Sequence, residues 1–113
     1  MRFLEKLVKN IEKNKAVHKA KREIDRIYFN MTDYDLSTCE YIAKRKIGLS
    51  LALDRCNTAI SIGREGQERL ASTYDIKGLG LEKKFNCIEG GIGYIEHRKE
   101  ILPQIYDKSA KEL

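Results

Sequence analysis

Three cysteines and two histidines are the side chains of this sequence best suited to bind a metal or act as nucleophile or base. Cys39, Cys56 and Cys87 are far apart and form no C-x-x-C pair, which is unlike a zinc site or a disulfide framework. His18 and His97 lie in charged segments, and the spacing places no nucleophile or orienting carboxylate beside either of them. We therefore expect no catalytic residue, no metal site and no cofactor, in a non-enzymatic cytoplasmic protein with reduced thiols.

Four cations near the N-terminus form the best candidate binding surface. Residues 1–30 carry nine basic and four acidic side chains, which accounts for the whole formal net charge of +5. A helix places four of the basic residues on one face, with no acidic residue between them; they are Lys15, Lys19, Arg22 and Arg26, here called the basic stripe. The stripe is either a solvated face or a surface for nucleic-acid phosphates or an acidic protein. Nearby acidic residues and the absence of tryptophan argue against membrane binding.

A glycine-containing segment offers a second candidate surface. Residues 60–70, ISIGREGQERL, resemble the signature loop of KH domains. In that family a G-x-x-G turn between two helices clamps the backbone of a single-stranded nucleic acid. The resemblance implies such a loop at Gly63, Arg64, Glu65 and Gly66, with the preceding IGLSLALD as a strand. It therefore implies nucleic-acid binding as an alternative function.

Hydrophobic periodicity predicts that the first of the elements carrying these residues is a helix. Residues 1–30 contain no glycine or proline, and apolar residues recur every three or four positions. They form two stripes that are rotated from each other by more than a third of a turn. The first stripe is Phe3, Leu4, Leu7, Val8 and Ile11, and the second is Val17, Ala20, Ile24, Ile27, Tyr28 and Met31. Either the helix breaks at residues 12–16, or one long helix packs against different neighbours along its two halves.

The next segment predicts a turn followed by a second helix. Residues 30–37 are polar and acidic, and Ser37 with Glu40 matches a capping box, so the helix should begin near Thr38. Apolar residues on two faces predict that this helix is central and continuous over residues 42–60. Residues 46–54 also alternate like a strand, but the helical stripe continues beyond both ends of that run, which favours a helix.

A connector and a third helix complete the predicted elements. Residues 72–80 are rich in turn-forming residues, and apolar residues then recur at helical spacing from Leu81 to Tyr106. Glycines within residues 85–96 weaken this helix, and a hairpin turning at residues 89–91 is the alternative. Pro103 should end or kink the helix near Leu102.

Together these patterns predict one all-α domain over residues 1–113, with three main helices packed largely antiparallel and a long, basic first helix. No apolar run approaches the ~20 residues that a membrane-spanning helix needs. The apolar stripes exceed what a three-helix monomer buries, so we expect self-association or docking on another protein. The alternative is a nucleic-acid-binding protein that uses the basic helix or the KH-like loop. The single proline and the frequent lysine, isoleucine and asparagine residues fit an AT-rich genome, which suggests a protein of a bacterium, a phage or a mobile element.

Overall fold

A computed structural model describes the backbone of residues 2–112 and the side chains of residues 2–107. Within that part of the chain the secondary structure is helical, in three helices: α1 (Arg2–Ala43), α2 (Leu49–Thr73) and α3 (Glu82–Glu112). The connections are short, so consecutive helices run antiparallel, and each of the three helices packs against the other two. The predicted all-α fold with three helices is confirmed.

The first helix is much longer than its predicted extent. α1 has 42 residues and runs straight through residues 30–37, so the predicted turn there and the predicted helix start near Thr38 are wrong. The hydroxyl groups of Thr32 and Ser37 each donate to a carbonyl oxygen of their own helix, at 2.9 Å in both cases. These side chains therefore bond back to a continuing helix and do not cap a new one.

The charges of α1 are divided along its length. The helix carries nine basic and seven acidic side chains, so it is not basic as a whole. All nine basic residues precede Ile27, whereas residues 27–43 contain three acidic side chains and no basic one. The predicted long first helix is confirmed, but only its first part is basic.

The connection at residues 44–48 ends α1 with a compact backbone motif. The amide of Lys46 bonds to the Tyr41 carbonyl at 2.8 Å, and the amide of Arg45 bonds to the Ile42 carbonyl at 3.0 Å. This is the Schellman arrangement, which requires the left-handed backbone that Arg45 adopts at φ 55°. The same arrangement recurs before α3, where Gly80 supplies the left-handed residue at φ 70°.

The second helix begins later than predicted. α2 starts at Leu49, after the N-cap residue Gly48. The predicted continuous helix over residues 42–60 is therefore wrong, because residues 42–43 end α1 and the five residues 44–48 are not helical. Residues 49–54 are helical, so the strand alternative for residues 46–54 is also wrong. Helix is favoured there because Ala52 and Cys56, one turn apart, are both buried in the core.

The predicted connector near residues 72–80 is confirmed as the segment between α2 and α3, although its bounds are residues 74–81. α3 then runs unbroken through the glycine-rich segment, so the hairpin alternative at residues 89–91 is wrong. Pro103 does not end the helix either. Packing holds the helix on both sides of this proline, because Leu102 is buried and the Tyr106 hydroxyl donates to the Ile47 carbonyl at 2.9 Å.

The core lies where α2 crosses the other helices, and two glycines bring the backbones together. A Cβ atom at Gly66 would lie 2.6 Å from side-chain carbons of Ile27 in α1. A Cβ atom at Gly63 would lie 2.7 Å from the sulfur of Met31 and 2.8 Å from Ile92 of α3. Both glycines are buried, so their lack of a side chain serves close helix packing.

Candidate functional site

The first third of α1 is a helical arm that projects from the bundle. Every residue from 2 to 14 is exposed, and Val17 is the first apolar side chain of α1 that packs against the core. The principal extents of the molecule are 75 × 19 × 17 Å, so the long helices make it a rod. We call residues 2–14 the arm.

The arm carries the whole first apolar stripe on its surface. Phe3 is 76% exposed, and the least exposed member of the stripe, Leu7, is still 46% exposed. An isolated helix of this length is marginal in water, and five exposed apolar side chains on one face are unusual for a surface helix. Of the two alternatives for α1, the one long helix is confirmed. The expected second neighbour is not seen, because the first stripe packs against no other helix among the described residues.

A groove between α1 and α3 is the second exposed apolar surface. It has a volume of about 510 Å³ and is lined by apolar and small residues of both helices. Leu36 and Tyr94 on its two walls are 65% and 64% exposed, and Tyr28 is 42% exposed. No Cβ narrows the groove at Gly90, where an added Cβ would meet nothing within 4 Å. We call this surface the groove.

An ion pair between α1 and α3 lines the groove, with Asp35 buried and Arg98 half-buried. Asp35 of α1 and Arg98 of α3 both line it, with 2.9 Å between the Asp35 Oδ1 and Arg98 Nε atoms. The carboxylate is nearly buried, and the two atoms are in ionic contact without an aligned hydrogen bond. Burial acts to lower the pKa of Arg98, but the neighbouring Asp35 charge favours the cation and the net pKa is raised. The pair therefore joins α1 to α3 as a charged contact.

A second polar cluster joins α1 to α2. Arg55 donates from Nε to the Thr38 hydroxyl at 2.9 Å and from a terminal nitrogen to the Ser37 hydroxyl at 2.8 Å. Its guanidinium also lies over the Tyr34 ring, 4.2 Å from the centroid. The cluster is satisfied internally, so it holds α1 against α2 and positions one wall of the groove. Sequence reasoning missed it, because its members are 17 or more residues apart.

The basic stripe lies on α1 between the arm and the groove. Its four side chains are exposed, and none of them forms an ion pair with a side chain in residues 2–107. Together with His18 they line a shallow concave surface of about 570 Å³, which Glu23 also lines. One acidic residue therefore belongs to the same surface, contrary to the expectation of an uninterrupted cationic face.

The predicted KH-like loop does not form. Gly63, Arg64, Glu65 and Gly66 lie in the middle of α2, and both glycines are buried against neighbouring helices. Arg64 bonds to Glu96 of α3 at 2.6 Å on the surface. No strand occurs within residues 2–112, so the fold that the resemblance implied is wrong as well. The glycine spacing reflects helix contact and not a turn.

The cysteines occupy three different environments. Cys56 is buried and Cys39 is half-buried, and burial, followed by the Asp35 charge, raises the pKa of each thiol. Cys87 is exposed and lines the groove. Over the described residues, no group of three or more His, Cys, Asp or Glu side chains is arranged to hold a metal ion.

Within the described part of the chain, no helix has a stretch long and apolar enough to cross a membrane. Comparisons with family models, with curated proteins and with solved structures gave no match to this chain. The arm, the groove and the basic stripe are therefore interpreted from their own geometry.

Proposed function

We propose that the protein is a non-enzymatic binding protein that works as a homodimer, in which the arm of each copy lies in the groove of the other. The observation that carries this proposal is the arm itself, where five large apolar side chains share one face of a helix and remain exposed in the part of the chain that the structure describes. Burying such a side chain is worth about 1.5–3 kcal/mol. A second copy of the chain supplies a surface on which all five can be buried.

The groove has the chemistry to receive the arm. Its walls are apolar, and Gly90 lets a helix approach α3 closely. The charge of the arm also bears on the choice of occupant. The arm has four basic and two acidic side chains, whereas residues 27–43 of α1 have three acidic and no basic ones. Asp35 is paired with Arg98 and Glu40 with Lys44, so Asp33 is the acidic residue of this segment without an ion partner among the described side chains. This net charge favours the arm of a second copy over an acidic segment by a small amount.

The spacing along α1 makes the contact reciprocal. The centre of the arm and the centre of the α1 wall are about 25 residues apart, which is roughly 37 Å along one helix. If two α1 helices run antiparallel and one arm lies beside residues 28–36, a two-fold axis places the other arm in the other groove. In this arrangement each residue of one α1 faces a residue of the other α1, and the two residue numbers add up to about 39. Residue 11 of one copy thus faces residue 28 of the other. The two-fold axis passes where a residue would face itself, near residues 19–20.

The expected affinity follows from the two contacts together. Ten apolar side chains contribute on the order of 15 kcal/mol. An association cost of about 7 kcal/mol, which lies within the range of about 4–15 kcal/mol, leaves about 8 kcal/mol. This corresponds to a dissociation constant on the order of micromolar. The three free thiols support a cytoplasmic location for such a dimer, because reducing compartments keep thiols unpaired.

Sedimentation velocity over a concentration series tests the proposal. The wild-type chain should change from monomer to dimer as its concentration passes through the micromolar range. The double variant Leu7→Glu, Ile11→Glu should stay monomeric with unchanged helix content, because neither side chain belongs to the core of the described residues. The matched control Lys6→Gln, Lys13→Gln makes the same change in net charge on the opposite face of the arm and should dimerise like the wild type.

Two results would overturn the proposal. One is a wild-type chain that remains monomeric at tens of micromolar. The other is a Leu7→Glu, Ile11→Glu variant that dimerises as tightly as the wild type, which would place the interface elsewhere.

A further inference from the structure

We propose that the dimer binds double-stranded nucleic acid through its phosphates, on a single cationic surface that two basic stripes form together. This inference rests on the proposed dimer, because the basic stripe of one copy has four cations and the two stripes together have eight. It is carried by the position of the basic stripe relative to the two-fold axis.

The stripe lies where the dimer axis passes. Its members, from Lys15 to Arg26, are centred near residues 20–21, about one residue from the position of the axis. At 100° per residue, the stripe is about 60° around the helix from the apolar face of the arm. It is also far from the bundle, because the buried residues of α1, such as Ala20 and Ile24, lie on the opposite side.

The symmetry of an antiparallel pair then brings the two stripes to one side. The two-fold axis is perpendicular to both α1 helices and to the line that joins the two helices. A rotation about this axis does not change the direction of a side chain that points along the axis. Such side chains therefore point the same way in both copies. Eight exposed cations therefore face the same direction. They occupy about 16 Å along the helices, and the helix axes are about 8–10 Å apart.

The density of this charge matches a nucleic-acid duplex. Duplex DNA carries one negative charge per about 1.7 Å of its axis, which is roughly ten phosphates over 16 Å. A surface on one side of the duplex reaches only the phosphates that face it, so eight cations are enough to neutralise those phosphates. The four stripe residues have no ion partner among the described side chains, so neutralising phosphates breaks no existing pair. Glu23 remains at the border and reduces the local charge slightly.

The same geometry couples nucleic-acid binding to dimerisation. Eight cations near one axis repel one another, which weakens the dimer at low salt. A duplex that neutralises them should therefore strengthen dimerisation, and the coupling is reciprocal. In the absence of nucleic acid the stripes therefore weaken dimerisation. A face that serves only solubility would not change its effect on dimerisation when a duplex is added.

Fluorescence anisotropy with a duplex of roughly 20 base pairs tests the inference, with salt varied from 50 to 200 mM. If about six contacts form, the wild-type affinity should fall on the order of 10³-fold over this range. The stripe variant carries Lys15→Gln, Lys19→Gln, Arg22→Gln and Arg26→Gln. We expect it to lose duplex binding and to dimerise at least as tightly as the wild type.

A matched control removes four exposed cations from other places: Lys46→Gln, Arg69→Gln, Lys77→Gln and Lys83→Gln. It has the same net charge as the stripe variant but leaves both stripes intact. Its affinity should fall only about a few-fold, because distant exposed charges are screened. The monomeric Leu7→Glu, Ile11→Glu variant should bind weakly, with a salt dependence about half as steep.

The outcomes separate this inference from the proposed function. A wild-type dimer that does not bind the duplex at 50 mM salt overturns the inference alone. A chain that stays monomeric with and without the duplex overturns the dimer and the inference with it. Equal salt dependence in the wild type and the monomeric variant overturns the role of the paired stripes. Equal binding to polyglutamate and to the duplex overturns the choice of nucleic acid.

Discussion

Two regions of α1, the arm and the part inside the bundle, carry similar apolar stripes, but the stripe of the arm is exposed and the other stripe is mostly buried. In the arm, the stripe from Phe3 to Ile11 is exposed, whereas in the bundle Ile24 and Met31 are almost completely buried by α2 and α3. Both stripes have helical periodicity and comparable side chains, so the sequence of α1 does not distinguish them. The difference lies in the neighbours, since α2 and α3 are too short to reach the arm. An apolar stripe therefore indicates a surface that is stabilised by burial. It does not indicate whether the same chain or another chain buries it.

The sharpest test of this difference is a matched pair of isoleucine truncations. Ile24→Ala creates a cavity in the core and should lower the free energy of unfolding by about 2–5 kcal/mol. Ile11→Ala should change it by less than about 0.5 kcal/mol in the monomer, because this half-exposed side chain does not belong to the core. Urea denaturation below micromolar concentration measures both values. A loss of stability in Ile11→Ala comparable to that in Ile24→Ala would mean that the arm packs within its own chain.

A second pair compares two glycines, one inside the bundle and one on its surface. Gly66→Ala forces a Cβ against Ile27, so the clash should outweigh the gain in helix propensity and destabilise the protein by about 1–3 kcal/mol. Gly93→Ala meets nothing within 4 Å and should stabilise it by about 0.5–1 kcal/mol. Thermal unfolding should thus shift in opposite directions. The same sign for both variants would contradict the close approach of α1 and α2.

A third comparison uses the thiols as reporters without changing stability. At a given pH, a raised pKa leaves less reactive thiolate, so buried Cys56 and half-buried Cys39 should react slowly with a maleimide. Exposed Cys87 should react first. Its rate should fall several-fold as the dimer forms and the arm covers the groove. A rate for Cys87 that is independent of protein concentration would indicate that the groove stays open.

The sequence predicted the helical class and the number of helices because their apolar periodicity is strong. It misplaced the first turn because Thr32 and Ser37 are equally suited to capping a helix and to bonding back along one. It misread the G-x-x-G spacing because glycines serve turns and helix contacts alike, and only the position of Ile27 decides between them. The sequence indicates which segments are helical, but it does not indicate which residues of the other helices each segment contacts.

The candidate site was predictable only in part. The basic stripe and the arm follow from spacing within one helix, which a helical wheel shows directly. The groove is lined by residues of α1 and α3 that are about 60 positions apart, and these include the ion pair of Asp35 with Arg98. Such pairings follow from tertiary packing, and a single sequence does not reveal them. Gly90 and Tyr94 are one helical turn apart in the sequence, but their exposure in the groove follows from the structure alone.

Chemical cross-linking between copies tests the arm-in-groove contact most directly. Cys87 lies one turn before Gly91, where an added Cβ would be 3.5 Å from Tyr28, and Tyr28 is the residue that Ile11 of a second copy should face. The variant Ile11→Cys, treated with a short bismaleimide, should therefore give a covalent dimer whose peptide map joins position 11 to Cys87. The control Lys13→Cys, on the opposite face of the arm, should give little. Cross-links only between two copies of position 11, or equal yields from both variants, would contradict the account.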